Sequence, residues 1–206
     1  MKTIAVFASG RGSNFIRIYH NIQKGKIPAR IVCLISDNPQ AAAIQFALRH
    51  HIPTAVLFPK NFSDPLLFGM EILKFLHKNQ VNWIVLAGYL KKIPDNVVKT
   101  FRNKIVNIHP ALLPAFGGTG MYGMHVHEAV FASGVKISGV TVHLVNEIYD
   151  SGPIVLQQAV NIEDCRNPKE IADKVLKIEH KLYSQALARL FNNQYHIEAN
   201  RVIFTA

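Results

Sequence analysis

The chain has 206 residues, of which 49% are hydrophobic, and it carries 23 lysines and arginines against 13 aspartates and glutamates, for a formal net charge of +10. This length suits one domain with a substantial core, and the composition excludes a disordered chain. No uninterrupted apolar run reaches the roughly 20 residues of a membrane-spanning helix. The basic residues are scattered and aromatic residues do not alternate with them, so we expect anionic small ligands and no nucleic acid.

The first segments of the chain predict a strand, a glycine-rich turn and a helix. Thr3–Ala8 is a short apolar run, Gly10–Asn14 follows with the sequence G-R-G-S-N, and an amphipathic pattern then continues to about Gln23. Free backbone amides at the start of such a helix favour phosphate. The third glycine of a dinucleotide fingerprint is replaced by Phe15, so we expect a phosphate ligand without a dinucleotide.

Strands and helices then alternate at short intervals. The predicted elements are a strand at Ile31–Ser36, a helix at Ala41–His50, a strand at Thr54–Leu57, a helix at Ser63–Lys78 with Ser63 as its N-cap, a strand at Trp83–Ala87, a short helix after Pro94 and a strand at Ile105–Ile108. This alternation predicts a Rossmann-like α/β fold with a doubly wound, mostly parallel sheet. Ligands of such sheets bind beyond the carboxyl ends of the strands. The turns at Ser9–Asn14, Leu86–Leu90 and Asn107–Pro110 are therefore expected to share one crevice.

Two polar side chains stand at alternate positions where the last of these strands ends. Asn107 and His109 should point to the same face, and Pro110 should end the strand after them. An amide donor beside a titratable imidazole can stabilise and protonate an oxygen that becomes negative during a reaction. The alternative is a strand-end histidine and asparagine that hydrogen-bond to loop backbone, and spacing alone favours this alternative.

After this motif the regular alternation of strands and helices is interrupted. Ala115–Gly123 is glycine-rich and is expected to be a mobile loop, and Val126–Ala132 has a helical pattern. His125 and His127 have no cluster of cysteine, aspartate or glutamate nearby, so we expect them to pack or hydrogen-bond and not to bind a metal. The two cysteines, Cys33 and Cys165, form no metal motif and indicate a reducing cytoplasm.

The C-terminal part predicts two antiparallel strands, a long helix and a small hairpin. These elements are Ser138–Val145, Ile154–Val160, Pro168 to about Asn192 and Tyr195–Thr205. Asp150 lies in the connection between the two strands, before Gly152. It is either a turn-forming residue or a carboxylate that raises the pKa of His109 and orients its ring.

Three motifs together resemble one enzyme family. They are G-R-G-S-N at 10–14, N-I-H-P at 107–110 and D-S-G-P at 150–153. The chain resembles, over nearly its whole length, the phosphoribosylglycinamide formyltransferases of purine biosynthesis, within the superfamily that uses 10-formyltetrahydrofolate. The resemblance implies the following sites: catalysis by Asn107, His109 and Asp150; substrate phosphate at Gly12, Ser13 and Asn14; substrate ribose at Glu179; and folate at Lys60, Leu90, Lys91, Lys92, Ile93, Asn107, Val145 and Asp150.

The same resemblance implies an activity and its partners. The formyl group of 10-formyltetrahydrofolate, the co-substrate, is expected to pass to the amine of glycinamide ribonucleotide without a metal. The chain is expected to be one formyltransferase domain, with a phosphate-binding half at about 1–105 and a folate and catalytic half at about 106–206. A cytoplasmic monomer or homodimer is expected.

Two positions depart from the family pattern. Ala111 replaces the usual serine after N-I-H-P, and Leu176 stands where relatives often have a polar substrate contact. Three alternatives remain: a formyltetrahydrofolate deformylase, a methionyl-tRNA formyltransferase and a nucleotide-binding module without activity. The first two usually carry an additional domain, for which few residues precede Thr3 or follow Asn192, so the resemblance favours the ribonucleotide enzyme.

Overall fold

The computed structural model describes residues 1–205 and divides the chain into two compact units, Met1–Val106 and Asn107–Ala206. Both units combine helices with strands, and parallel pairing predominates in the first while antiparallel pairing predominates in the second. The predicted α/β class, with a mostly parallel sheet and antiparallel C-terminal strands, is therefore confirmed. No helix among residues 1–205 is long and apolar enough to cross a membrane.

The first unit contains four parallel strands and four α-helices. Its elements are β1 (Lys2–Phe7), α1 (Ser13–Gln23), β2 (Ala29–Ser36), α2 (Ala42–Arg49), β3 (Thr54–Val56), α3 (Pro65–Lys78), β4 (Trp83–Leu86) and α4 (Asp95–Thr100), with a short 3-10 helix at Pro59–Asn61. The strands lie in the order β3-β2-β1-β4. The chain thus builds outward from β1 in both directions, which makes the boundary between β1 and β4 a switch point of strand order.

Continuous apolar runs explain the buried strands of this unit. Residues 4–7 of β1 and Ala8 directly after it have no exposed surface, and all four residues of β4 are buried. One predicted boundary is wrong: Asp64, and not Ser63, is the N-cap of α3, because its carboxylate accepts a hydrogen bond from the Leu66 N–H at 2.7 Å. Pro65 then occupies the first helical position, where it has no N–H to leave unpaired.

The second unit contains the antiparallel strands and the long C-terminal helix. Its elements after β5 (Ile105–His109) are α5 (Met124–Ala132), β6 (Ile137–Leu144), β7 (Ile154–Asn161), α6 (Pro168–Asn192), β8 (Tyr195–Glu198) and β9 (Arg201–Phe204). The strands β6 and β7 pair antiparallel, β9 joins β7 in parallel, and β8 and β9 form the predicted hairpin. The prediction of α6 is confirmed at both ends.

Two local signals fix where the elements of the second unit begin and end. The β5 strand contains the boundary between the units and ends at His109, directly before Pro110, as predicted. At the other end of the unit, the Asn167 side chain caps α6 by accepting a hydrogen bond from the Glu170 N–H at 3.0 Å. Glu170 returns the contact by accepting from the Asn167 side-chain amide at 2.8 Å and from the Arg166 N–H at 2.8 Å, which holds the start of the helix in place.

Candidate active site

The turn between β1 and α1 places backbone amides at the start of a helix that has no side-chain cap. Gly12 is the N-cap, with a left-handed backbone (φ 71°), and no side chain caps the helix. A Cβ atom at Gly12 would lie 2.8 Å from the Cβ of Ala43, so only glycine fits. Ser13 and Asn14 occupy the first turn of α1, and Asn14 is buried. An uncapped helix start with a close-packed glycine is a suitable site for a phosphate.

The turn after β4 is held to the turn after β1 by Ser9. The Ser9 N–H donates to the Gly88 carbonyl at 3.0 Å, and the Ser9 hydroxyl accepts from the Leu90 N–H at 3.0 Å. The Asn38 amide, which follows β2, donates to the Ser9 carbonyl at 3.3 Å. Three turns at the carboxyl ends of adjacent strands are therefore joined by one serine, whose contacts use mainly backbone groups.

The predicted folate residues of the first unit lie on two segments. After β4, Leu90 and Lys91 are exposed and Ile93 is buried, while Lys91 pairs with Asp37 at 3.8 Å and Lys92 pairs with Asp95 at 3.0 Å. Lys60 lies on the 3-10 helix at Pro59–Asn61, with its ammonium 5.6 Å from the centre of the Phe58 ring.

In the second unit, buried side chains form a compact polar cluster around Asp150. His109 Nδ1 lies 3.6 Å from Asp150 Oδ2, and His143 Nε2 lies 3.6 Å from Asp150 Oδ1. The Asn107 amide nitrogen lies 3.1 Å from the same His143 Nε2. The structure thus brings together all three residues predicted to be catalytic and adds His143 as a fourth. Both imidazoles are almost wholly buried.

The loop after β5 supplies two backbone contacts to this cluster. His109 Nε2–H donates to the Phe116 carbonyl at 2.8 Å, and the Gly118 N–H donates to Asp150 Oδ2 at 3.0 Å. A Cβ atom at Gly117 would lie 2.4 Å from the Leu113 side chain and 3.2 Å from the Asp150 Cβ, so this part of the loop packs against the cluster. In this structure the Nε2 of His109 is therefore paired with a backbone carbonyl of the loop.

The surroundings of His109 act on its pKa in opposite directions. Burial lowers the pKa of His109 below its ordinary value, although the Asp150 carboxylate and the Phe116 carbonyl act in the opposite sense. Asp150 therefore has the predicted influence on this pKa, but burial has the larger one. Nε2 faces the Phe116 carbonyl and Nδ1 faces the Asp150 carboxylate, so both ring nitrogens lie beside hydrogen-bond acceptors.

Asp150 itself is ionised. Burial raises the pKa of this carboxyl group, but His143, His109 and the Gly118 N–H together outweigh burial and keep the pKa below its ordinary value. An anion held between two imidazoles can receive a proton from either ring or stabilise either ring once that ring is protonated. The cluster is therefore suited to moving a proton while a neighbouring oxygen becomes negative.

The backbone of the 146–153 loop dictates which residues can hold this position. Asp150 has a left-handed backbone with φ 52°. The Asn146 side chain organises the preceding turn by accepting from the Ile148 N–H at 3.1 Å and from the Ser151 hydroxyl at 3.0 Å. A Cβ atom at Gly152 would lie 1.9 Å from the Leu144 carbonyl oxygen, so the chain can return to β7 only through a glycine.

The other histidines of the second unit have different surroundings. His127 is buried on α5, and burial together with the charge of His109 lowers its pKa to about 4. His125 is exposed and lies against the Tyr122 ring. Within residues 1–205 no group of three histidine, cysteine, aspartate or glutamate side chains is arranged to hold a metal.

The remaining predicted residues and departures are placed as follows. Glu179 is half-buried on α6, and Val145 is half-buried directly after β6. Ala111 is fully buried, and its carbonyl accepts from the Thr141 hydroxyl at 2.8 Å. Leu176 is half-buried on α6, one position before an exposed lysine.

His143 is the member of the cluster that the sequence did not predict. It lies on β6 within T-V-H-L, two residues after Thr141, so both side chains point to the same face of the strand. A histidine inside an otherwise apolar strand of alternating pattern was the available signal. The contact between His143 and Asn107 could not be inferred from the sequence, because the two residues are 36 positions apart.

Comparison with known proteins gives a consistent result for nearly the whole chain. Residues 2–187 match the family model described as formyl transferase. The chain belongs to the formyl transferase family. It is 39% identical, over 92% of its length and 95% of the relative, to a phosphoribosylglycinamide formyltransferase of Bacillus subtilis (strain 168). It is 44% identical to a chloroplastic protein of the same name from Arabidopsis thaliana, of whose length it spans 65%.

Two solved structures agree with the fold. A glycinamide ribonucleotide transformylase from Symbiobacterium toebii superposes with a TM-score of 0.93 at 31% identity, covering 100% of this chain and 95% of the other. A formyltetrahydrofolate deformylase from Pseudomonas syringae superposes with a TM-score of 0.88 at 21% identity over 66% of that chain. At that identity the likeness to the deformylase concerns the fold alone.

Proposed function

We propose that this protein transfers the formyl group of 10-formyltetrahydrofolate to the amine of glycinamide ribonucleotide, a step of purine biosynthesis. The observation that carries the proposal is the buried cluster of Asn107, His109 and Asp150 in a chain that belongs to the formyl transferase family. Two relatives that match over most of both chains are named for glycinamide ribonucleotide or its formylation, and they support the choice of this acceptor.

The roles of the three residues follow from their contacts. As the amine nitrogen attacks the formyl carbon, its oxygen becomes negative, and the Asn107 N–H and His109 Nε2–H donate hydrogen bonds to it. In this step the oxygen takes the place of the Phe116 carbonyl on His109. The proton released by the amine passes to the pair formed by Asp150 and His109 and from there to N10 of the folate as its carbon–nitrogen bond breaks.

The remaining predicted residues supply the binding groups in this proposal. Gly12, Ser13 and Asn14 hold the 5′-phosphate at the uncapped start of α1. Residues Leu90 to Ile93 bind the folate together with Lys60, and Val145 and Asp150 of the second unit contribute further contacts. Glu179 on α6 contacts the ribose. The whole chain acts as one formyltransferase domain, in the cytoplasm, as a monomer or homodimer, and does not bind nucleic acid.

One assay tests the reaction against its nearest alternative. The protein is incubated with 10-formyltetrahydrofolate, with and without glycinamide ribonucleotide, and loss of the formyl group is followed. We expect loss only when the ribonucleotide is present, whereas a deformylase removes the group without it. A protein that binds the ribonucleotide without any loss of formyl groups is a binding module, and this result contradicts the proposal.

Two variants test the site within the same assay. Replacement of an oxyanion donor typically lowers turnover on the order of a hundredfold or more. We expect losses of that size for Asn107→Ala and His109→Ala. Near wild-type turnover by either variant contradicts the role given to that residue.

A further inference from the structure

The positive charge of the chain is concentrated in the first unit. Residues 1–106 contain 15 of the 23 lysines and arginines and 4 of the 13 aspartates and glutamates, so this unit has a formal charge of +11. The second unit, with 8 basic and 9 acidic residues, has a formal charge of −1. The excess charge of the whole chain therefore belongs to one unit, and its place within that unit indicates which ligands it attracts.

Within the first unit, the basic residues gather at the edge of the sheet opposite the proposed phosphate turn at Gly12–Asn14. This amino edge consists of the starts of the parallel strands and the helix ends that lead into them, at residues 2, 24–30, 49–53, 78–82 and 102–104. These residues include no aspartate or glutamate. The eight lysines and arginines of the amino edge are all exposed, and they are Lys2, Lys24, Lys26, Arg30, Arg49, Lys78, Arg102 and Lys104.

Neither carboxylates nor helix ends neutralise the amino edge. Asp37, Asp64 and Asp95 follow a strand or begin a helix at the other edge, and Glu71 lies in the middle of α3. The ion pairs that the first unit forms within residues 1–205 are made by Lys74, Lys91 and Lys92. The carboxyl end of a helix carries roughly half a negative charge, so the four helices that end here offset about two of the eight positive charges. A surplus of positive charge remains, and it attracts anions.

A cavity of about 430 Å³ lies at this edge. Its walls come from the end of α1, the start of β2, the loop before β3 and the end of α3, all within the first unit. Small-molecule sites occupy roughly 300–1,000 Å³. Among the described residues that line the cavity there is no carboxylate, whereas Arg30, His50 and His51 are present. The guanidinium group of Arg30 offers N–H donors in a planar fork that matches the oxygen atoms of a phosphate.

The same cavity has an apolar and aromatic part. Its apolar lining consists of Ile22, Ile31, Val32, Ile52 and Pro53. The rings of Tyr19 and His50 also line it, with their centres 4.5 Å apart and Tyr19 Oη 3.0 Å from His50 Nδ1. The His50 ring lies 4.3 Å from the Phe46 ring as well, so contacts with two aromatic side chains hold it in place. A ligand that matches this lining combines an anionic group with a compact apolar or aromatic body.

We propose that this cavity binds a phosphate monoester with a small apolar or aromatic body. Its phosphoryl group pairs with Arg30 and His51, and its body lies against the apolar lining. A phosphate monoester carries about −1.5 to −2 charges at pH 7, so the amino edge attracts it more strongly than it attracts a carboxylate. The site is separate from the phosphate turn at Gly12–Asn14 and does not depend on the proposed formyl transfer.

A titration of the wild-type protein tests where such a ligand binds. The probes are phenyl phosphate and inorganic phosphate, and the shifts of assigned backbone amides in nitrogen-15 NMR spectra locate each of them. We expect phenyl phosphate to shift the amides of residues 22–23, 30–32 and 50–52 with a Kd of about 1 mM or lower. Inorganic phosphate should bind there at least about threefold more weakly, because it has no apolar body. Shifts confined to residues 12–14, no shifts below about 20 mM probe, or equal affinity for both probes overturn the proposal.

A pair of arginine variants tests the group that recognises the phosphate. We expect Arg30→Gln to weaken the binding of phenyl phosphate at least about 10-fold, because it removes a charged pair of donors. Arg17→Gln is the matched control, since Arg17 is exposed on α1 and does not line the cavity, and it should change Kd by less than about twofold. Arg30→Lys keeps the charge without the fork and should give an intermediate Kd. Equal weakening by Arg30→Gln and Arg17→Gln shows attraction by overall charge alone and overturns the proposal.

The formyl transfer assay tests whether the two sites are separate. Arg30→Gln should keep kcat and KM for the ribonucleotide within about twofold of the wild type, because Arg30 lies at the amino edge and not at the phosphate turn. A KM raised about 10-fold places Arg30 in the substrate site and overturns the proposal of a second site. The binding measurements need no formyl transfer, so a failure of the proposed function leaves them unaffected.

Discussion

The two units present their candidate functional groups in different ways. In the first unit, Ser9 joins the turns through backbone contacts, and the phosphate turn offers backbone amides at the start of α1. In the second unit, the side chains of Asn107, His109, His143 and Asp150 contact one another in a buried cluster. A site made from backbone depends on the path of the chain, whereas a site made from buried side chains depends on charge and protonation. The two units should therefore be sensitive to different kinds of substitution.

The largest effect should come from removing the charge at the centre of the second unit. Asp150→Asn keeps a residue that tolerates the left-handed backbone, but it leaves both imidazoles without an anion. We expect the rate of formyl transfer to fall on the order of a hundredfold or more, measured as kcat at saturating substrates. Asp164→Asn, which changes an exposed carboxylate paired with Lys174, should keep wild-type kcat. A similar kcat for both variants contradicts the dependence on charge.

The stability of the second unit should depend on pH through His127. The pKa of this buried ring is about 4, so below pH 6.5 the unfolded chain binds a proton that the folded chain does not. The free energy of unfolding should therefore fall as the pH decreases from about 6.5 to about 4, by up to about 3 kcal/mol from this residue. Denaturant titrations at pH 7 and pH 4.5 measure the decrease. It should be smaller in His127→Leu and unchanged in His125→Leu, an exposed neighbour.

The first unit should respond to a change in its backbone. Gly12→Ala places a Cβ on a left-handed residue and 2.8 Å from the Ala43 Cβ. Gly25→Ala is the matched control, because Gly25 has φ 68° but no atom lies within 4 Å of the added Cβ. The left-handed backbone should cost roughly 1–2 kcal/mol of unfolding free energy in both variants. Only Gly12→Ala should lower the free energy of unfolding by more than this amount and also raise KM for the ribonucleotide. Equal losses and an unchanged KM argue against a phosphate site at this turn.

The smallest effect should come from the exposed charges of the first unit. Lys92 pairs with Asp95 at 3.0 Å, and both side chains are about half exposed. Exposed ion pairs of this kind contribute about 0–1 kcal/mol. We expect Lys92→Met to lower the free energy of unfolding by less than about 1 kcal/mol and Lys92→Arg to leave it unchanged. A loss as large as that of Gly12→Ala shows that charge also matters to the first unit.

The sequence predicted the elements of the fold because local rules determine them. Apolar runs identified β1 and β4, and the alternating pattern identified β6 as a strand. The error at the start of α3 arose because Ser63 and Asp64 are both good N-caps, and only the actual hydrogen bond distinguishes them. These decisions involve neighbours in the chain, so a single sequence contains most of what is needed.

The site was predicted in part, and its missing features are not local. The motif at 107–110 and the family resemblance led to Asn107, His109 and Asp150. His143 was not predicted, because its contact with Asn107 forms only after β5 and β6 are in place. The sequence did not predict that the pKa of His109 is lowered, because burial, the main cause, is a property of the folded chain. The periodicity of a sequence predicts neither the contacts between distant segments nor the burial that these contacts create.

The left-handed backbone of Asp150 restricts what substitution and selection can do at this position. Glycine, asparagine and aspartate adopt such a conformation more readily than other residues, and of these three only aspartate carries a charge. A longer carboxylate such as glutamate preserves the charge but adopts this backbone less readily. A saturation library at this codon should therefore separate into two groups, with asparagine and glycine folded but slow, and most others reduced in amount. The genetic code contains no second residue that meets both demands.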